Sequence, residues 1–200
     1  AANGHLVMAY SFLKGLGVDG NIGTITVDMK TKAGASEGHR VIASRQGAVE
    51  VESSRYPFCF SGAEKDPNGT RSILPFLPFN EDLNRFMLLV ENLDSEQAEV
   101  TWGESSKTFS RAQLEKGINL AAEFLDNPFV ESFQRLDRIV QQKQQYETNM
   151  IKRIVTNFRQ IRNVVGEDEE LDGLLARLYG KLAGKQEKYQ QQLRKFSYFL

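Results

Sequence analysis

The sequence has little of the chemistry that disulfides and zinc sites require. It contains one cysteine, Cys59, and two histidines, His5 and His39. A single cysteine excludes an internal disulfide framework, and these three side chains are too few for a Cys/His zinc site. Any metal ion would need oxygen ligands, and no cofactor-binding motif is present. The sequence therefore predicts no metal-binding and no cofactor-binding residues.

The sequence also lacks a strong net charge and long apolar runs. The formal net charge is −1, which gives no global attraction to nucleic acid. The cations of the segment 129–165 are spread around a predicted helix, which favours a solvated face over a nucleic-acid stripe. No run approaches the roughly eighteen apolar residues that a membrane span needs. With 40% hydrophobic and 26% charged residues, the composition is that of an ordinary globular chain.

Candidate catalytic residues are equally scarce. There is no G-x-S-x-G motif, and neither histidine lies in a segment typical of a nucleophile's base. Cys59 lies between Phe58 and Phe60, which favours a buried, unreactive thiol over a reactive one. His39, at a strand entry, is more typical of a surface or hydrogen-bonding residue. The acidic run 167–170 favours a helix N-terminus over a calcium loop. We therefore predict no catalytic residue in this chain.

The N-terminal half has the pattern of one helix followed by strands. The apolar residues of His5–Leu16 predict a short helix that is apolar on most of its surface, ended by Gly17 in a left-handed cap. After this helix, apolar residues recur at every second position, which predicts strands at 24–29, 40–44 and 48–52. Residues 45–47 would join the last two strands as a hairpin. A helix of this composition is expected to be covered on all sides.

Further strands and an aromatic group follow. Residues 85–92, 97–102 and 107–109 predict a β-meander, and the two prolines in 73–79 predict an edge segment or an apolar loop. The aromatic group between 56 and 79 is more typical of a core than of a ligand platform. Its members are Tyr56, Phe58, Phe60, Phe76 and Phe79.

The C-terminal half is predicted to be helical. Ser110 and Gln113 form a capping-box pattern that opens a helix ending near Asp126. Asn127 and Pro128 then provide the start of a much longer helix that runs to Val165. Because one long apolar stripe needs a partner, the last helix, 171–200, is expected to pair with it in antiparallel fashion. The predicted fold class is α+β: a short N-terminal helix, a β-meander or sandwich-like module, and a long antiparallel helical hairpin.

Several blocks resemble a known enzyme family. The opening Gly-His-x-x-Met-Ala at 4–9 is similar to the helix start that follows the last catalytic motif of SGNH (GDSL-like) hydrolases. Further blocks resemble the C-terminal region of a secreted, planctomycete-type bacterial group of this family. They are Ser54–Phe60, Pro78–Arg85, Val100–Gly103, Gly117–Phe124 and Asn127–Phe129.

This resemblance implies a position within a larger enzyme. The Gly-Asp-Ser nucleophile block, the oxyanion-hole Gly and Asn, and the Asp-x-x-His block have no counterparts here, and His5 matches the helix-start His rather than the triad base. The implied domains are a closing helix of an absent α/β hydrolase domain at 1–20, a β-rich accessory module at 21–109 and a helical segment at 110–200. The implied parent is an esterase that forms an acyl-serine intermediate.

Two functions are therefore open. The first is the C-terminal portion of an SGNH-type ester hydrolase, non-catalytic alone, which shapes substrate access or assembly. Its partner would be the missing N-terminal hydrolase domain, and the resemblance implies a secreted or periplasmic location. The second is a non-enzymatic interaction module that binds a partner, or a second copy as a homodimer, through the helical hairpin.

Overall fold

The computed structural model describes residues 2–45 and 47–197. The described chain is α+β, as predicted, and divides into two units, Ala1–Phe133 and Gln134–Leu200. The helices are α1 (Ala2–Gly15), α2 (Phe79–Leu83), α3 (Arg111–Lys116), α4 (Leu120–Glu123), α5 (Val130–Asn149), α6 (Thr156–Val165) and α7 (Glu169–Ser197). The strands are β1 (Asn21–Asp28), β2 (Ala33–Ala35), β3 (His39–Arg45), β4 (Ala48–Ser53), β5 (Arg85–Glu91), β6 (Gln97–Trp102), β7 (Ser105–Ser110) and β8 (Ile118–Asn119).

The described strands of the first unit form three sheets. The largest has the order β2-β1-β5-β8, and β3–β4 and β6–β7 are separate two-stranded hairpins. The predicted hairpin at 40–52 is confirmed by the antiparallel register from His39↔Ser53 to Arg45↔Ala48. Gln46, in its predicted connection, lies outside the described residues.

The predicted meander is wrong in one pairing. Strands β6 and β7 pair as expected, but β5 pairs in parallel with β1, from Asn21↔Arg85 to Asp28↔Glu91. Strand β5 is buried at every second residue, Phe86, Leu88 and Val90, and so fits the centre of a sheet. The sequence pattern shows that a strand is half-buried but not which partner lies beside it.

Local signals at helix ends are confirmed. Gly17 has φ 75°, its N–H donates to the Lys14 carbonyl, and the N–H of Val18 donates to the Leu13 carbonyl. These two bonds are a Schellman motif, which ends α1 where the sequence predicts. The Ser110 hydroxyl and the Gln113 side chain form the predicted capping box.

The predicted single helix from 110 to 126 is wrong. Gly117, with φ 96°, ends α3, and Ile118 and Asn119 then pair with Leu88 and Met87 of β5. Asn119 caps the next short helix through the backbone N–H of Ala121. The glycine therefore allows a two-residue edge strand between two short helices.

The second unit contains the predicted antiparallel hairpin. The Tyr146 hydroxyl donates to the Leu182 carbonyl at 2.7 Å, and Arg162 pairs with Asp172 at 3.0 Å. The long helix is interrupted by a π-helical segment, Met150–Val155, and the hydroxyl of the next residue, Thr156, donates to the Ile151 carbonyl. Gly166 ends α6 with φ 84°. Leu200, the last residue of the predicted final helix, lies outside the described residues.

Candidate functional site

The first unit contains a cavity of about 440 Å³ that is lined mostly by apolar residues and is called the apolar cavity below. One face of the main sheet forms its floor, and the two hairpins form its walls. Because side chains alternate along a strand, β1, β4 and β5 contribute every second residue, whereas β6 lines the cavity along its edge from Ala98 to Trp102. The floor residues are Ile25, Val27, Phe86, Leu88 and Val90. The wall residues include Val49 and Val51 of β4 and Ala98, Val100 and Trp102 of β6.

Trp102 closes one wall of the cavity through aromatic contacts. Its ring centroid lies 5.7 Å from Phe86, 6.2 Å from Phe124 and 5.9 Å from Phe129. The next residue, Gly103, has φ 66°, and a Cβ built there would lie 3.0 Å from the Pro128 side chain. This close approach holds the β6–β7 turn against the chain at 127–129.

Ser53 lines the cavity and forms a hydrogen bond with His39. The Nδ1 of His39 lies 2.9 Å from the Ser53 hydroxyl, and Nε2 lies 2.9 Å from the Ile22 carbonyl. A carbonyl can only accept, so Nε2 carries a proton and donates. In the neutral ring Nδ1 then accepts the proton of Ser53. The imidazole also stacks on Phe86 at 5.1 Å.

The predicted hydrogen-bonding role of His39 is confirmed. Its pairing with Ser53 was not predicted, because only the antiparallel register sets these two residues opposite each other. A Ser–His pair is the beginning of a hydrolytic triad, but here the second ring nitrogen bonds a backbone carbonyl, where a triad has a carboxylate. The contacts therefore define a link between the β3–β4 hairpin and β1.

The same unit contains a network of asparagine side chains, of which Asn80 and Asn84 are buried. The Asn84 side chain accepts from the backbone N–H of Phe58 and donates to the Phe58 carbonyl and to Asn80 Oδ1. Asn119 donates to the Asn80 carbonyl and accepts from the N–H of Phe86. The segments Ser54–Phe60, Pro78–Arg85 and Gly117–Phe124 thus meet in space. In this structure their asparagines hold backbone segments together.

Helix α1 has apolar side chains on two opposite faces. Leu6, Tyr10 and Leu13 pack on the cluster around Phe60, Phe79 and Leu83. On the other face Met8, Phe12 and Leu16 are 57%, 67% and 79% exposed. A helix that is apolar all round is normally covered on all sides. Within the described chain α1 is covered on one.

A polar cluster fixes the inner face of α1. The Tyr10 hydroxyl donates to Asp82 Oδ2 at 2.6 Å, and Lys14 lies 3.0 Å from the same oxygen. The Tyr10 hydrogen bond and then the Lys14 ammonium hold the pKa of Asp82 below its usual range. The hydrogen bond to Asp82 in turn raises the pKa of Tyr10, and burial and then the negative charge of Asp82 raise it further.

The thiol and most of the aromatic group are placed as predicted. Cys59 is buried, as predicted, and burial raises the pKa of its thiol to about 11. Phe60 and Phe79 belong to the core, with edge-on ring contacts between them. Phe76 is an exception, because it is 81% exposed at the end of a 3₁₀ segment, Arg71–Phe76. Its predicted core position is wrong.

The remaining predicted features concern metals, the acidic run and membranes. Asp168 accepts from the Leu171 N–H and so caps α7, as expected for the run 167–170. No cluster of three or more potential metal ligands occurs within residues 2–45 and 47–197. In the same part of the chain, every helix is too short or too polar to span a lipid bilayer.

Comparison with known proteins gives information about the fold of this chain and none about the site. Neither a protein-family model nor a curated protein matches the chain. Among solved structures, it is similar to BT4096, described as a gut microbial diltiazem-metabolizing enzyme, with a TM-score of 0.62. The sequence identity is 21%, over 96% of this chain and 46% of that one. At this identity the similarity shows a shared fold, and this chain spans a little under half of the enzyme's length.

Proposed function

We propose that this chain is the C-terminal portion of an SGNH-type ester hydrolase, and that it shapes substrate access or assembly without catalysing the reaction itself. The acyl-serine chemistry would be performed by an N-terminal α/β domain. The chain would supply that domain's closing helix together with the β-rich unit and the helical hairpin. The implied location is secreted or periplasmic.

The observation that carries the proposal is the outer face of α1. Met8, Phe12 and Leu16 follow one another at spacings of four and form one exposed stripe. The opposite stripe already packs on this unit, so the outer one is available to the α/β domain. Burying a side chain such as Phe12 contributes about 1.5–3 kcal/mol.

Two further observations support the proposal. Three of the blocks that resemble SGNH hydrolases are joined by the asparagine network around Asn80, Asn84 and Asn119, as expected of a shared scaffold. The fold is also similar to part of a longer enzyme, which suggests that this architecture can occur beside a further domain. Both observations concern architecture, and the ester substrate comes from the sequence resemblance.

The test begins with the complete gene. An Asp-x-x-His segment is expected shortly before Ala1, and its absence would overturn the proposal. The complete product should hydrolyse p-nitrophenyl acetate, whereas the 200-residue chain should not. In the complete product Phe12→Asp should lower the melting temperature, while Phe76→Asp, at another exposed phenylalanine, should leave it nearly unchanged. Ester hydrolysis by the 200-residue chain alone would also contradict the proposal.

A second function is favoured by the exposed apolar residues of the helical hairpin. Val164, Val165 and Leu174 are more than half exposed near its turn. An interaction module would bind a partner chain, or a second copy, through this surface. Light scattering of the 200-residue chain should then give the mass of a dimer, and Leu174→Lys should restore a monomer. A monomer at all concentrations would argue against self-association.

A further inference from the structure

We propose that the apolar cavity between the main sheet and strands β4 and β6 is a binding site for a neutral, medium-chain alkyl or acyl group. The inference is independent of the ester-hydrolase proposal, because it depends only on contacts within residues 20–129. It assigns a ligand class to a space that no motif in the sequence indicates.

The cavity has the size of a ligand site. Its volume of about 440 Å³ lies within the range of small-molecule pockets, roughly 300–1,000 Å³. It is about three times the volume of an apolar cavity of roughly 150 Å³ that stays dry and binds benzene. The occupant should therefore be larger than a single aromatic ring.

The lining is suited to hydrocarbon. Branched aliphatic side chains line both the floor and the walls, among them Val27, Val90, Val51 and Val100. An alkyl chain that packs against these side chains is removed from water, which is the favourable contribution to its binding. A flexible alkyl chain can follow the uneven surface that these branched side chains leave.

The charges select a neutral ligand. Among the described lining residues, Glu99 is the one with a charged side chain, and none is a cation. A carboxylate entering the cavity would lose its hydration without gaining a counter-charge. A free fatty acid should therefore bind more weakly than an alcohol of the same chain length.

One polar group can orient the ligand. Because the Ser53 hydroxyl donates its hydrogen bond to Nδ1 of the neutral His39 ring, the Ser53 oxygen keeps its lone pairs as acceptors. A ligand hydroxyl can donate to it, which favours a medium-chain alcohol as the probe.

Trp102 makes the proposal directly measurable. It is the only tryptophan in the sequence, and it lines the cavity. Titration of the 200-residue chain with 1-decanol should change the Trp102 emission in a saturable manner. Decanoate at pH 8 should bind about tenfold more weakly or worse, since its charge has no partner. The absence of a saturable change, or equal binding of decanoate, would overturn the proposal.

Two matched variants locate the site. Ala98→Phe places a large ring into the cavity and should abolish decanol binding, whereas Thr108→Phe, at an exposed position on the paired strand β7, should bind as the unmodified chain does. Thermal melting shows whether each variant is folded. Should Ala98→Phe fail to fold, nuclear Overhauser contacts between decanol and the methyl groups of Val27, Val51 and Val100 provide the same test. Contacts to other methyl groups alone would refute the assignment.

Discussion

The Asn84 side chain donates to Asn80 Oδ1 at 2.8 Å, and both residues are buried. Asn84 also binds both backbone polar groups of Phe58, so one side chain joins helix α2 to the segment before Cys59. Buried amides of this kind contribute because each of their polar atoms is satisfied. Through Asn119, which donates to the Asn80 carbonyl, the same network also reaches strand β8.

Loss of the Asn84 amide should strongly destabilise the first unit. In Asn84→Ala the N–H and C=O of Phe58 lose their partners, and leaving such groups unpaired costs about 1–3 kcal/mol each. We expect the free energy of unfolding to fall by about 3 kcal/mol in urea denaturation. Asn68→Ala, at an exposed turn residue, is the control and should change it little. Equal effects of the two variants would show that the network is dispensable.

The Tyr10–Asp82–Lys14 cluster should make the stability dependent on acid. The folded-state pKa of Asp82 lies below its unfolded value of about 3.8, so the stabilisation is present above pH 3.8 and is lost as the pH falls through the lowered value. Asp82→Asn should lower the melting temperature at pH 7, and the difference should shrink below pH 3.8. Glu64→Gln, at an exposed residue, provides the comparison. A difference that stays constant with pH would contradict this account.

The thiol of Cys59 should react slowly in the native chain. With a pKa of about 11 instead of 9.0, its thiolate fraction near pH 8 falls about a hundredfold. Burial slows the reaction further. Ellman's reagent should modify Cys59 only after denaturation, while the exposed position in Ser61→Cys should give one rapidly reacting thiol. Rapid modification of the unmodified chain would refute a buried cysteine.

Gly23 should be essential for the position of His39. A Cβ at Gly23 would overlap with the His39 ring at Nε2, so Gly23→Ala must displace the ring from Ile22. Forcing an extra methyl group into packed surroundings costs about 1–3 kcal/mol. A shift of the His39 imidazole nitrogen resonances should accompany this loss of stability. Gly34→Ala has open space around its Cβ and is the control. Unchanged His39 resonances in Gly23→Ala would exclude this contact.

Leu175 should contribute far more to the stability of the helical hairpin than its neighbour Leu174. Leu175 is buried, whereas Leu174 is 55% exposed. Leu175→Ala should destabilise the pairing of α6 and α7 by about 2–5 kcal/mol. Hydrogen exchange should then accelerate around residues 158–180, and Leu174→Ala should leave it nearly unchanged. The reverse order of effects would mean that the hairpin is packed through a different face.

The sequence predicts features that depend on neighbouring residues. The Gly17 cap, the Ser110 capping box and the β3–β4 hairpin each follow from a few adjacent side chains, and all three are confirmed. The parallel pairing of β5 with β1 could not be predicted, because it joins strands about sixty residues apart and leaves no local signal. The helix break at Gly117 was missed because pairing with Met87 and Leu88 outweighs the helical pattern there.

Even less of the candidate site than of the fold could be predicted from the sequence. The cavity is bounded by residues of three sheets, and the Ser53–His39 pair depends on hairpin register. No motif joins these residues in the sequence. The buried state of Cys59 followed from its apolar neighbours, but the exposure of Phe76 did not, because the 3₁₀ segment turns its ring outward.

The central claim is that a hydrolase domain covers the outer face of α1. It is tested most directly by measuring how exposed that face is. Hydroxyl-radical footprinting with mass spectrometry compares Met8, 57% exposed, with Met29, 45% exposed, in the 200-residue chain and in the complete gene product. The account predicts that Met8 and Phe12 are modified readily in the chain and protected in the complete product, while Met29 is unchanged. Equal modification of Met8 and Phe12 in both would contradict a hydrolase domain that covers this helix.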